Sequence, residues 1–442
     1  MGRLARTWYG MRSSFWFLPG LIVTGATVLA FLAIEADARY VAADALQSWP
    51  RLFGAGASAS RSMLTAVAGS MITVAGTVFS ITLVALSLAS SQYSSRVLRN
   101  FMRDRTNQSV LGVFVGIFAY CLVVLRSIYG TGDDAFVPSV AVLLGLLLGF
   151  GGIGVLVFFI HHIAQSIQAS QILEAVRRET REAIDRLFPD RLAAHAEPEQ
   201  ERPDVTWFEA RRANATGYLR YVDYAGLRTI ACEHGVRLRV PVQVGQYVLE
   251  GDRLLCASPA PPAGLGDAVS ECWSIGPQRT LEQDIGFGIR QLVDVGLKAL
   301  SPGVNDTTTA IMCIDTLTSL LAIVCARDLR FDGCDCEGVT LVQARHPRFE
   351  DLLDEAFGQL RHSAGDNRAV LDRLRWALET LESRTYAPTR RRTLHAAALR
   401  LQDTVARCLQ DPQDRSHLGA SVDALVISLA EGEAMPGAAA AP

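Results

Sequence analysis

Four long apolar runs, none with a charge near its centre, lie within residues 1–163, and they constrain this chain more than any other feature. They cover about 15–35, 63–89, 110–129 and 140–161. Each comes close to the roughly 20 residues needed to cross ~30 Å of hydrocarbon. In lipid such runs are helical, because a helix leaves no backbone amide unpaired. The expected fold class is therefore an α-helical multi-pass membrane protein with about four transmembrane helices, followed by an α+β cytoplasmic domain.

Arginine placement predicts the orientation. Arg3, Arg6, Arg12, Arg96, Arg99, Arg103, Arg105, Arg177, Arg178, Arg181 and Arg186 fall on one side, against Arg39, Arg51 and Arg61 on the other. Both termini are predicted to be cytoplasmic, in an inner membrane. A cleaved signal peptide ending near Ala36-Asp37-Ala38 is the rival reading, but the first run is longer than a signal core. Arg126, near the end of the third run, is either a snorkelling side chain or part of a charged external mouth, with Asp133 and Asp134 close in sequence. A fifth apolar run, Ala310 to Ala326, contains Asp315 and reads as a buried helix of the soluble part.

Composition excludes more than it identifies. The net charge of −3 gives no sign of a nucleic-acid partner. The nine cysteines show no framework spacing, and Cys334 and Cys336 lack a matching second pair, so no metal and no cofactor are expected. There is no HExxH, no G-x-S-x-G and no phosphate loop; Lys298, the only lysine, is followed by Ala299. His161 and His162 at the end of the fourth run read as interfacial packing, and no catalytic residue is assigned.

The second run carries Ser70, Thr73, Thr77, Ser80, Ser87 and Ser91 at helical spacing, with Gly69 and Gly76 alongside. Two readings stand. Small residues and hydroxyls let helices pack closely, as do Gly112/Gly116 and Gly145/Gly149 in the third and fourth runs. Alternatively, the hydroxyls line a water-filled path in an oligomer.

Beyond residue 163 a helical extension and linker (164–203) leads to a small β-containing unit (204–258). There the rhythm of Val242, Gly245, Val248, Gly251 and Leu254 is similar to the hairpins of biotinyl-type barrel-sandwich domains, without a lysine to carry a prosthetic group. A helical core follows (259–346), in which Ser301-Pro302-Gly303 stops a helix and Asn305 and Asp306 can cap the next. Arg279, Gln283, Asp284, Arg290, Asn305 and Asp306 form the candidate polar site of this region, or else serve as caps and surface pairs. A C-terminal helical bundle (347–432) and an Ala-rich tail (433–442), expected to be disordered, complete the chain.

Two blocks, Gly76 to Arg105 and Arg279 to Ala310, resemble the bacterial predicted membrane proteins called domain of unknown function 2254. The chain has Ser94-Ser95-Arg96 where that family favours Ser-Pro-Arg, and Asn305-Asp306-Thr307 where it favours Asn-Asp-Pro. The resemblance implies the architecture and carries no activity with it. The leading functional expectation is a homo-oligomeric channel or transport-like protein, whose partners are the lipid bilayer, further copies of itself and an ion or small ligand. A membrane-anchored sensor or scaffold is the alternative.

Overall fold

The computed structural model describes residues 16–40, 56–92, 105–129, 136–166, 168–189, 192, 205–329, 335–336 and 339–434. The linker beyond residue 192, Asp133, Asp134, Cys334 and the tail from residue 435 lie outside them, as does the side chain of Ser91, whereas residues 433–434 end the last helix. The chain divides into two compact units that part between Gln168 and Ala169.

The first unit contains four long helices, α1 (Phe17–Tyr40), α2 (Ala57–Gln92), α3 (Arg105–Ser127) and α4 (Ser139–Ser166). Each of the first four apolar runs is thus a helix, and α2 is longer than its apolar stretch. α3 is central and packs on the other three, burying Phe114, Ile117, Tyr120 and Val124. The GxxxG pairs make these approaches possible. A Cβ at Gly112 would sit 2.9 Å from the Cα of Pro19 on α1, and one at Gly145 would sit 2.8 Å from Leu64 on α2. Bonds at one end fix the helix ends to each other. The Asp37 carboxylate accepts from Val140 N at 3.1 Å and Ala141 N at 3.0 Å, so the end of α1 caps the start of α4. Tyr120 donates to Ala141 O at 2.9 Å, and Arg61 to Ile128 O at 2.9 Å. Elsewhere the surface is apolar: Phe31, Leu32, Phe150 and Val157 are each at least 60% exposed.

The second unit opens with α5 (Ala169–Leu187), a separate helix rather than a continuation of α4, which ends at Ser166. The chain then runs β1 (Phe208–Arg212), β2 (Gly217–Val222), α6 (Tyr224–His234), β3 (Arg237–Val240), β4 (Tyr247–Val248), β5 (Arg253–Ser258), α7 (Leu265–Ala268) and β6 (Trp273–Gly276). Next come α8 (Ile285–Ala299), α9 (Thr307–Cys325), the short ribbon β7 (Asp335–Cys336) and β8 (Val339–Thr340), and β9 (Val342–Ala344). Four helices end it: α10 (Phe349–Ser363), α11 (Arg368–Glu382), α12 (Pro388–Cys408) and α13 (Pro412–Ala434).

The strands form two main sheets, β1-β5-β3-β9 and β4-β2-β6. All pairings in them are antiparallel except β3 with β9. The β region therefore does not close at residue 258: β6 completes one sheet, and β9 enters the other after α8 and α9 have intervened. Leu219, Val222, Leu227, Leu238, Leu255 and Leu265 fill the core of this region.

Among the described residues five helices, not four, are long and apolar enough to span a bilayer, and the fifth is α9. It packs against α5, α8, α10 and α11. Ile314, Leu317, Leu320 and Leu321 are fully buried, and midway along it Asp315 pairs with Arg373 of α11. Its C-terminal carbonyls are capped by the buried Arg390, which donates to Val324 O at 2.6 Å and Arg327 O at 2.8 Å.

Candidate functional site

On α2 the hydroxyl series and the packing face are different faces. Leu64, Ala68, Met71, Ala75, Val78 and Ala85 are buried against the bundle. Ser70, Thr73, Thr77, Ser80 and Ser87 are exposed. A Cβ added at Gly69 or Gly76 would meet nothing within 4 Å. Among the described residues the hydroxyls therefore do not bond across to a neighbouring helix. Ser70 Oγ donates to Val67 O at 2.9 Å, Thr73 Oγ1 to Gly69 O at 2.8 Å and Thr77 Oγ1 to Thr73 O at 3.1 Å. Each proton is thereby committed to the helix's own backbone, and the oxygen lone pairs remain as acceptors. Arg126, at the end of α3, is exposed.

Among the described residues of this unit, one buried polar side chain stays unmatched. Asn107, in the first turn of α3, is only 4% exposed, yet neither its Oδ1 nor its Nδ2 has a hydrogen-bond partner. A buried, unpaired amide costs on the order of 1–3 kcal/mol.

In the second unit the six polar candidates do not form one site. Arg279, Gln283 and Asp284 meet at the N-terminus of α8. Arg279 grips Asp284 in a bidentate pair, Nε to Oδ2 at 2.7 Å and Nη2 to Oδ1 at 2.9 Å, and Asp284 also caps α8 by accepting from Phe287 N at 3.1 Å. Burial pushes the Asp284 carboxyl up against the pull of Arg279 and the Gly286 and Phe287 amides. Gln283 mimics a paired strand, accepting from Val222 N and donating to Val222 O, both at 2.9 Å. Gly245, at φ +92°, completes the junction: a Cβ there would stand 2.0 Å from Asp284 Oδ2. These contacts bolt the helical layer to the β region. A cavity of about 30 Å³ lies beside them, bordered by Tyr224, Gln243, Arg345 and His346.

Arg290 sits further along α8, pairing with Asp294 at 2.7 Å and Glu355 of α10 at 3.3 Å. Asn305 and Asp306 lie past the far end of α8, about 22 Å of helix from Asp284 at ~1.5 Å per residue. Capping belongs to Asp306, which accepts from Thr309 N at 3.0 Å; the Thr309 hydroxyl and amide hold its carboxylate below the usual range. Asn305 is exposed at φ +48°, turning the chain into α9.

Two small-residue contacts on α8 had no signal in the sequence reading. A Cβ at Gly288 would lie 2.0 Å from Thr180 Oγ1 on α5, and one at Gly296 would lie 2.8 Å from Leu360 on α10. α8 is thus the helix on which α5 and α10 close. No group of three or more His, Cys, Asp or Glu side chains able to hold a metal occurs among the described residues.

Several apolar helices with large outward-facing side chains, joined to a strand-containing C-terminal unit, define a multi-helix membrane protein. The chain belongs to the family described as Predicted membrane protein (DUF2254), which it matches over residues 12–380. It is 34% identical over 374 residues to uncharacterized proteins of Mycobacterium bovis and Mycobacterium tuberculosis, covering 83% of this chain and 72% of each relative. No solved structure matches it.

Proposed function

We propose that the protein is a homo-oligomeric, channel-like protein of a bacterial inner membrane, with α2 lining a water-filled path and the C-terminal unit controlling it from the cytoplasm. The observation that carries this reading is the α2 hydroxyl face: Ser70, Thr73, Thr77, Ser80 and Ser87 are exposed, and no helix among the described residues covers them. A second copy, or water between copies, is the cover that suits it. Because the hydroxyl protons of Ser70, Thr73 and Thr77 turn to the backbone, the outward atoms are lone pairs, which favour water and cations over anions.

In this reading α1 to α4 span the bilayer and α9 does not. The Asp315–Arg373 pair and the Arg390 cap on α9 support that division, since charges in hydrocarbon are costly. Retention of α1 is supported by the Asp37 cap on α4 and by the Gly112 contact with Pro19, both of which a signal cleavage would destroy.

The test places cysteine at Thr77 and Ser80 in the membrane-embedded protein and applies a membrane-impermeant thiol reagent. Modification accompanied by reduced ion flux in proteoliposomes is expected; full protection with no flux at any voltage or osmotic load would sink the proposal. In that event a membrane-anchored sensor or scaffold is the reading to adopt, favoured by the ionic junction and cavity at the N-terminus of α8.

A further inference from the structure

The corner between α11 and α12 carries a charge run of one sign. From Ser383 to Gln402 there are five arginines and no aspartate or glutamate. Two of them have partners inside the fold: Arg390 is buried and caps α9, and Arg400 faces Asp354 of α10 at 3.8 Å. Arg384, Arg391 and Arg392 make no ion pair among the described residues; Arg384 and Arg392 are exposed and Arg391 is partly so. The acids around the corner are engaged elsewhere. Glu382 accepts from Ser428 Oγ of α13 at 2.7 Å, Glu350 pairs with Arg348, and Asp328 acts on Arg390.

Arg391 and Arg392 stand where they do not help the fold. They lie at the start of α12, whose first turn has no acidic residue and whose N-cap, Ala387, supplies no side-chain hydrogen bond. The amide dipoles make that end of a helix positive, so cations placed there lower stability. Beside them Tyr386 is 74% exposed, further out than Phe150 on the outward face of α4 at 71%. Tyrosine suits the headgroup layer of a bilayer, where its ring is half in apolar surroundings and its hydroxyl stays wet, and guanidinium forks match phosphate oxygens. A membrane protein is held beside such a surface, and unpaired basic clusters are drawn to it when its lipids are anionic. We propose that the α11–α12 corner is a docking surface for anionic phospholipid headgroups, with Arg384, Arg391 and Arg392 on the phosphates and Tyr386 among the headgroups. The surface belongs to the second unit alone and does not depend on the role of α2.

The test uses the full chain in nanodiscs of phosphatidylcholine alone or of phosphatidylcholine with phosphatidylglycerol, and follows amide hydrogen exchange over residues 384–393. Slower exchange in the anionic discs is expected, with the gain fading as added salt screens the charges. R391Q or R392Q alone should cut that gain by up to about fivefold, and R384Q/R391Q/R392Q together should abolish it. Exchange along the buried α9 should stay as in the wild type, which separates loss of docking from loss of fold. Soluble glycerol phosphate added to the neutral discs should not slow exchange; if it does so as well as phosphatidylglycerol, the corner takes free anions and the lipid surface is overturned. Equal exchange in both discs, slowing only with an added polyglutamate peptide, or slowing that the triple variant retains would each overturn it too.

Discussion

α2 and α9 are both long and apolar enough to cross a membrane, yet one wears its side chains outward and the other is sealed. On α2, Phe79, Ile81, Leu83 and Val84 are each at least 40% exposed, and the hydroxyl face is bare. On α9, the comparable leucines are covered by four amphipathic helices, and an ion pair and a buried arginine grip the helix from outside. Apolar content alone reports that a helix must leave water. What it leaves water for is decided by its neighbours: α9 has amphipathic helices packed around it, and α2 has only a few partners on one face.

The contrast can be broken by substitution, with unfolding by urea of the detergent-solubilised chain followed by circular dichroism. The largest effect is expected from Leu317→Ala, about 2–5 kcal/mol, because a fully buried leucine leaves a cavity. Next is Arg390→Met, about 2–3 kcal/mol, as the carbonyls of Val324 and Arg327 lose charged donors. Asp306→Ala should cost about 1 kcal/mol, the usual loss for a helix N-cap. That contribution carries its own pH signature. The Asp306 carboxyl titrates lower in the folded chain than in the unfolded one, so its stabilisation is whole above the unfolded value near ~4 and drains away as pH falls through the folded value. The wild type should therefore lose more stability on acidification than Asp306→Ala. Smallest is Leu83→Ala on α2, within about 0.5 kcal/mol, since that side chain is half exposed and leaves no buried cavity. A large loss at Leu83, or none at Leu317, would erase the distinction between the two helices.

Much of this was open to a reader of the residues. Runs without charge became helices, and Ser301-Pro302-Gly303 does end one helix before Asp306 begins the next, because such stops and caps are local chemistry. Long-range partners were not legible. Asp37 looked like part of a cleavage site, and its engagement with Val140 and Ala141 spans over a hundred residues. Gly245 fitted a hairpin rhythm and Gly288 carried no signal, although the space each leaves is filled by Asp284 or Thr180. Arg279 and Asp284 could be named as candidates, but spacing could not say that they grip each other in a bidentate pair while Gln283 bonds to Val222. Sheet membership beyond residue 258 was not legible for the same reason, since β9 has only three residues and takes its place through parallel pairing with a strand far upstream.

That late strand has a consequence for how the chain is made. Val342 to Ala344 lie beside Leu238 to Val240, so the four-stranded sheet has an open edge until roughly a hundred further residues have emerged from the ribosome. During that interval α8 and α9 are synthesised while their cover, the helices from Phe349 onward, is still missing. A nascent chain stalled between Ala326 and Leu341 should bind a chaperone that holds greasy segments, and release it once Leu381 is clear of the exit tunnel.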